Sequence, residues 1–196
     1  MKKYYKASGF IVGLLFIASF SNAQKYDQGI GLRIGDPLGV TYKLYLPGYS
    51  AVEFNFGTTS RNWHSSYYQD TFNGLNKYDG FRYSGHDVKY TVALQGRYLL
   101  HQSFPANVEG RLDWYWGLGG QLRLSKIEYT YFTQEMLLDS DTKTNLDLGP
   151  EGILGVEYEL QDYPIVGFGE VSLLGEIVDK PFRFRLFAAV GVRYSF

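Results

Sequence analysis

The chain has 196 residues, 45% hydrophobic and 18% aromatic, with 23 Gly, 6 Pro and no Cys, a length that suits a single domain. Without Cys it has neither a disulfide framework nor a cysteine for a lipid anchor, so stability must come from burial and strand pairing. The formal net charge of −1 falls by three, to −4, if Lys2, Lys3 and Lys6 are removed with a leader, and the absence of a basic stripe sets nucleic-acid binding aside.

Those three lysines precede an apolar run over 10–20 and then Ser21-Asn22-Ala23, the layout of a secretory signal peptide cleaved after Ala23. The expected division is a signal peptide at 1–23 and one domain at 24–196. The run is shorter than the ~18 to 20 residues of a spanning helix. No second long apolar run follows, which excludes a helical membrane protein. Entry into a membrane would therefore require a closed barrel, because in lipid every backbone N–H and C=O needs an internal partner.

From residue 29 the chain alternates with a period of two. Ile30, Leu32 and Ile34 oppose Gly31, Arg33 and Gly35, and Asp36-Pro37-Leu38-Gly39 turns the chain. Val40, Tyr42, Leu44 and Leu46 oppose Thr41, Lys43 and Tyr45 up to a Pro47-Gly48 turn. Val52, Phe54 and Phe56 oppose Glu53, Asn55 and Gly57. After a long polar and aromatic segment, 58–86, a fourth strand sets Val88, Tyr90, Val92, Leu94, Tyr98 and Leu100 against Lys89, Thr91, Gln95 and Arg97.

A short reversal at 102–107 leads to Leu112, Trp114, Trp116, Leu118, Leu122 and Leu124 against Arg111, Asp113, Tyr115, Gln121 and Arg123. A second long segment, 125–145, precedes strand six, where Leu154, Val156, Tyr158 and Leu160 oppose Gly155, Glu157 and Glu159. Strand seven, 165–177, carries Val171 and Leu173 against Glu170 and Ser172. The last stretch, 184–196, sets Phe184, Leu186, Ala188, Val190, Val192, Tyr194 and Phe196 against Arg185, Phe187, Ala189, Gly191, Arg193 and Ser195.

Eight strands result, with both long connections odd-numbered and every even-numbered connection tight. Short turns on one side, longer loops on the other and an even strand count are the pattern of outer-membrane barrels. The apolar face is continuous and bears Trp114, Trp116, Tyr90, Tyr98, Tyr158 and Tyr194, residue types enriched at membrane boundaries. A soluble barrel would instead carry Lys, Glu, Thr and Ser across its outer face. The predicted fold is all-β, an eight-stranded antiparallel up-and-down transmembrane barrel.

With the apolar face outward, Arg33, Lys43, Glu53, Lys89, Arg97, Arg111, Asp113, Arg123, Glu157, Glu159, Glu170, Arg185 and Arg193 point into the lumen. Eight strands leave room for little beyond these side chains, so they are expected to pair as a packed network rather than line an open channel.

The terminal residues Val190, Val192, Tyr194 and Phe196 resemble the C-terminal strand of bacterial outer-membrane barrel proteins, the segment that the assembly machinery recognises. Over 24–196 the chain is similar to the small OmpX and OmpA-transmembrane type. That resemblance implies a structural, adhesive or surface-interaction role, with outer-membrane lipid, the barrel assembly machinery and an external surface ligand as partners. It implies no peptidoglycan-binding module, because no segment follows the last strand.

Chemistry-bearing motifs are sparse. There is no P-loop, dinucleotide fingerprint or zinc spacing, so no cofactor and no metal is expected. Glu157 and Glu159 have the spacing of a paired-carboxylate site but read more simply as counter-ions. His101 falls at a predicted inner turn, where it would be solvated. His64 and Ser66 would share a face if strand three continued upward, and such a pair resembles that of outer-membrane lipid A deacylases, in which His activates Ser against an acyl ester. No acidic partner is identifiable, and the pair lies above the predicted membrane band.

Trp63, Tyr67, Tyr68, Phe72, Tyr78, Phe81 and Tyr83 stand among Ser, Asn, Gly and Asp, a composition of adaptable binding loops. Equally, strands three and four could extend and pack these rings on each other. A non-enzymatic surface protein is the leading expectation. A lipid acyl-ester hydrolase and a narrow pore or transporter for small hydrophobic molecules are the alternatives.

Overall fold

The computed structural model describes residues 27–59, 65–105, 108–178 and 183–196. The expected leader, 1–23, lies outside the described residues. Eight strands carry the alternation: β1 (Gln28–Gly35), β2 (Leu38–Leu46), β3 (Ser50–Thr58), β4 (Arg82–Ser103), β5 (Arg111–Phe132), β6 (Leu138–Glu159), β7 (Ile165–Glu176) and β8 (Arg183–Ser195). Each pairs antiparallel with the next in sequence, and β1 closes on β8, so the sheet is a complete up-and-down barrel. At the closing seam Gly29 faces Ser195 and Gly35 faces Ala189.

The alternation decides the two surfaces. Leu32, Ile34, Leu118, Leu186 and Val192 stand exposed on the outer wall, while Arg33, Lys43, Glu53, Arg123 and Arg193 are buried inside. An apolar exterior around a charged interior is the reverse of a soluble barrel and is the arrangement lipid requires. Two lumen glycines make room for rings across the ladder: Gly155 opposite Tyr115 and Gly191 opposite Phe168. A Cβ at either position would collide with the facing ring.

Strand lengths differ sharply between the two halves. β1 to β3 have 8 or 9 residues, whereas β4, β5 and β6 have 22 each. A membrane span needs only ~9 to 11 residues per tilted strand, so half of each long strand projects beyond it. The outward side chains change at that height, from Tyr90, Leu124 and Leu146 to Lys126, Glu128, Thr142 and Thr144. The segment 125–145, expected as a loop, is thus mostly β-ladder, with Ser125 opposite Asn145 and Phe132 opposite Leu138. Likewise β4 begins at Arg82 rather than at 87, and the 58–86 segment contributes helix α1 (Ser65–Asn73) and a 3-10 turn, Asn76–Tyr78.

The register of β4 against β5 shifts twice, between Tyr83 and Gly85 and between Val88 and Tyr90, and the second shift flips the strand's parity. Val88 faces Ile127 and Tyr90 faces Lys126, which leaves Lys89 as a bulged extra residue. Lys89 therefore sits outside the lumen, 2.9 Å from Asp87 and 2.6 Å from Glu128. Val88, expected on the lipid face, is turned inward and buried.

The outward apolar belt generates a direct expectation. Replacing Leu118, 70% exposed on the outer wall, by Arg lowers folding stability in lipid vesicles by about 2 to 4 kcal/mol, read by urea titration. Thr142→Arg, above the belt, leaves it unchanged.

Candidate functional site

The lumen charges form three tiers that cross the barrel. In the middle tier the Arg97 guanidinium contacts three carboxylates: Glu53 at 3.1 Å, Glu151 at 2.7 Å and Glu170 at 2.6 Å. Glu170 also meets Arg33 at 2.9 Å and accepts the Tyr115 hydroxyl at 2.9 Å. Arg193 donates to Glu53 at 2.6 Å, and the Gln95 amide links Arg33, Gln121 and Glu151. The inner tier joins Lys43 to Glu157 at 2.6 Å, and the outer tier joins Arg123 to Asp36 at 3.3 Å and Arg185 to Asp147 at 2.6 Å.

Several of these pairs join strands that are not neighbours, such as Lys43 on β2 with Glu157 on β6, and so brace the wall from inside. Ions stripped of water are tolerable only when paired and hydrogen-bonded, and the network meets that condition at its centre. Glu151, Asp147, Asp36 and Glu176 belong to the network although the sequence reading omitted them. Continuing the odd-numbered parity of β6 upward from Glu157 would have reached Glu151 and Asp147. Asp36 falls in the expected Asp36-Pro37-Leu38-Gly39 turn and Glu176 near the end of strand seven, yet both are buried.

Arg111 and Asp113 pair at 2.5 Å at the inner mouth, and Glu159 stands beside them. The mouth is a cavity of about 530 Å³ whose lining includes Tyr45, Tyr49, His101, Asp113, Glu157 and Glu159. His101 is not solvated: it is buried between the rings of Tyr45 and Tyr115, with Nε2 3.3 Å from Glu157. It lies on β4 rather than in the turn, because that strand continues to Ser103. Among the described residues no cluster of three or more His, Asp or Glu side chains is placed to hold a metal.

Above the membrane belt, β4, β5 and β6 form a three-stranded blade whose inner face carries Val88, Ile127, Tyr129 and Tyr131. Tyr68, Phe72 and Tyr78 from the 58–86 segment are buried against it, with Phe81 and Tyr83 packed alongside. Phe72 stacks on Tyr78 at 4.3 Å, and Phe81 stacks on Tyr131 at 5.2 Å. These rings hold α1 and the 3-10 turn over the barrel as a cap. Of the other ring candidates, Trp63 lies outside the described residues and Tyr67 falls on α1.

The pair His64 and Ser66 lies only partly within the described residues. β3 ends at Thr58 and Ser66 is on α1, so the strand parity projected through it does not hold; His64 lies outside the described residues. Val190, Val192, Tyr194 and Phe196 all face outward.

Two titrating contacts pin the cap. Asp141 accepts Lys77 and the Tyr78 hydroxyl, and these bonds, Lys77's first, hold its carboxyl below the usual range. His86 Nδ1 lies 2.5 Å from the Tyr83 hydroxyl, its ring 5.0 Å from that of Tyr68. Burial depresses its pKa below the usual 6.5, against an opposing effect of Asp87.

Removing Arg97 leaves Glu53, Glu151 and Glu170 with uncompensated charge, so Arg97→Met destabilises the barrel by about 3 to 5 kcal/mol, measured by denaturant titration in detergent. Lys89→Met produces no measurable loss, since its pairs are exposed. For His86, the unfolded chain binds a proton more readily than the folded cap, so cap stability is intact above about pH 6.5 and declines below it. Asp141 adds a loss only as pH falls below about 4. The protection of the amides across 65–78, corrected for the intrinsic exchange rate at each pH, is therefore lower at about pH 5.5 than at about pH 7.5, and His86→Phe flattens that difference.

No family model matches the chain, and no curated protein matches it. Among solved structures it is similar to the crystal structure of Ail, the attachment invasion locus protein of Yersinia pestis. The identity is 12%, the TM-score is 0.46, and the match covers 88% of this chain and 100% of that one.

Proposed function

We propose that this chain is a non-enzymatic integral outer-membrane protein that acts at the cell surface by binding, through the blade formed by β4, β5 and β6. On this reading residues 1–23 direct export and are cleaved. Outer-membrane lipid surrounds the apolar belt, and the barrel assembly machinery reads the terminal strand ending at Phe196.

The observation that carries the reading is the projecting blade. Three strands run about twice the length a membrane crossing needs, and a barrel with only a structural role has no use for that extension. The aromatic cluster stiffens it, so Tyr68, Phe72 and Tyr78 serve as internal supports and contact falls to the edges and the tip. At the tip Met136, Leu137 and Leu138 are 74%, 62% and 62% exposed. A rigid strand edge presents unpaired N–H and C=O groups, which recruit an extended partner segment.

The chain contains no Cys, so single cysteines report topology directly. In intact cells a membrane-impermeant maleimide labels Ser140→Cys on the blade and leaves Ser103→Cys at the inner turn unlabelled until the cells are opened. Labelling of Ser103→Cys alone would invert the barrel and end the proposal.

A further inference from the structure

We infer that the outer edge of β6 pairs with the same edge of a second copy of this chain held in an apposed membrane, antiparallel, with Thr142 opposite Thr142. This rests on the reading above that the blade stands outside the membrane.

Among the described residues the edge is open for most of the blade's height. β7 pairs with β6 only from Glu151 to Glu159, and the highest link beyond it is the Ile177 N–H donating to the Leu148 carbonyl at 3.0 Å. Among the described residues no backbone–backbone bond engages 138–146 on that side, while the opposite edge is fully paired to β5. The segment contains no Pro and no Gly to blunt it. Its even-numbered side chains face away from the cap and its odd-numbered ones lie on the cap side, with Asp141 bonded to Lys77 and Tyr78.

A twofold axis perpendicular to the paired sheet keeps each side chain on its own face, so residues of equal parity must meet. In the Thr142-centred register Asp141 meets the second copy's Lys143, and Lys143 meets its Asp141. Asp139 then meets Asn145, Ser140 meets Thr144, and Leu138 meets Leu146 on the outer face. Every other register that pairs seven or more residues of 138–147 sets like charges opposite one another. Centring on Asp141 or Lys143 opposes each to itself, and centring on Thr144 brings Asp141 onto Asp147. Directly opposed like charges are destabilising and unlike ones stabilising.

Among the described residues Lys143 has no ion-pair partner within its own chain. Against most strands it would act as a guard charge on an open edge. The carboxylate that offsets it lies two residues away in the same strand, which favours a second copy over an unrelated peptide. Both copies send β6 outward from their own membranes. Antiparallel pairing therefore brings two membranes face to face, over nine paired residues and about 30 Å of ladder.

Two populations of lipid vesicles, distinguishable by dye and bearing the full chain, test this. Wild-type vesicles are expected to cluster. Vesicles with Thr142→Cys yield a disulfide-linked dimer on mild oxidation. Thr144→Cys alone yields none, but it cross-links to Ser140→Cys when the two populations are mixed. Lys143→Asp and Asp141→Lys vesicles each lose clustering alone and regain it together, which also demonstrates that both variants are folded. Dispersed wild-type vesicles, or equal cross-linking of Thr142→Cys and Thr144→Cys, would overturn the inference while leaving surface labelling of Ser140→Cys intact. Clustering that persists in each charge variant alone assigns contact to another surface and overturns it as well. Failure of Ser140→Cys labelling in cells removes the surface reading itself.

Discussion

Between β1 and β8 the ladder runs without interruption from Gly29 opposite Ser195 to Gly35 opposite Ala189, and everything else in the molecule depends on that closure. In lipid no water is available to satisfy a free N–H or C=O, so an open edge within the belt would cost several kcal/mol per group. Closing the ring removes both edges at once. It also forces every odd or even set of side chains onto one surface, which is why a simple alternation along the chain becomes an apolar wall and a charged core.

Closure at eight strands creates the second constraint. The lumen is too narrow for bulk water and too polar to pack like an ordinary core. Its solution is to place Arg97 among three carboxylates and to let long side chains reach across: Arg33 to Glu170, Lys43 to Glu157, Arg193 to Glu53. Glycines opposite Tyr115 and Phe168 supply the remaining space. The network braces the wall between strands that share no ladder.

Above the belt the constraint lifts, and the chain uses the freedom asymmetrically. β1, β2 and β3 stop at the membrane height while β4, β5 and β6 continue, so the ring opens into a blade with two edges. Near β4 the aromatic cap covers part of the exposed surface. Among the described residues the β6 side stays open and carries Asp139, Asp141 and Lys143 on one face. An edge that is fatal inside lipid becomes, in water, the feature available for recognition.

Residues such as Ile30, Leu32 and Ile34 against Gly31, Arg33 and Gly35 already determine strands, and the charge confined to one parity determines that the other faces lipid. Strand number, the short turns gathered at one end, outward aromatics and most of the lumen charges were legible for the same reason: period-two geometry ties each residue to a face without reference to anything distant. The bulge at Lys89 was not legible, because one unpaired residue flips parity and is visible only through the register with Ile127 and Lys126. Nor was the blade, since 125–145 reads as a polar loop until it is paired with itself. The burial of His101 and the lumen places of Glu151 and Asp147 likewise escape local pattern, because burial depends on how far a strand runs. Which lumen charges meet across the barrel was decided only by closure, which brings β2 opposite β6 and β4 opposite β7; distances across a ring are not encoded in any local spacing.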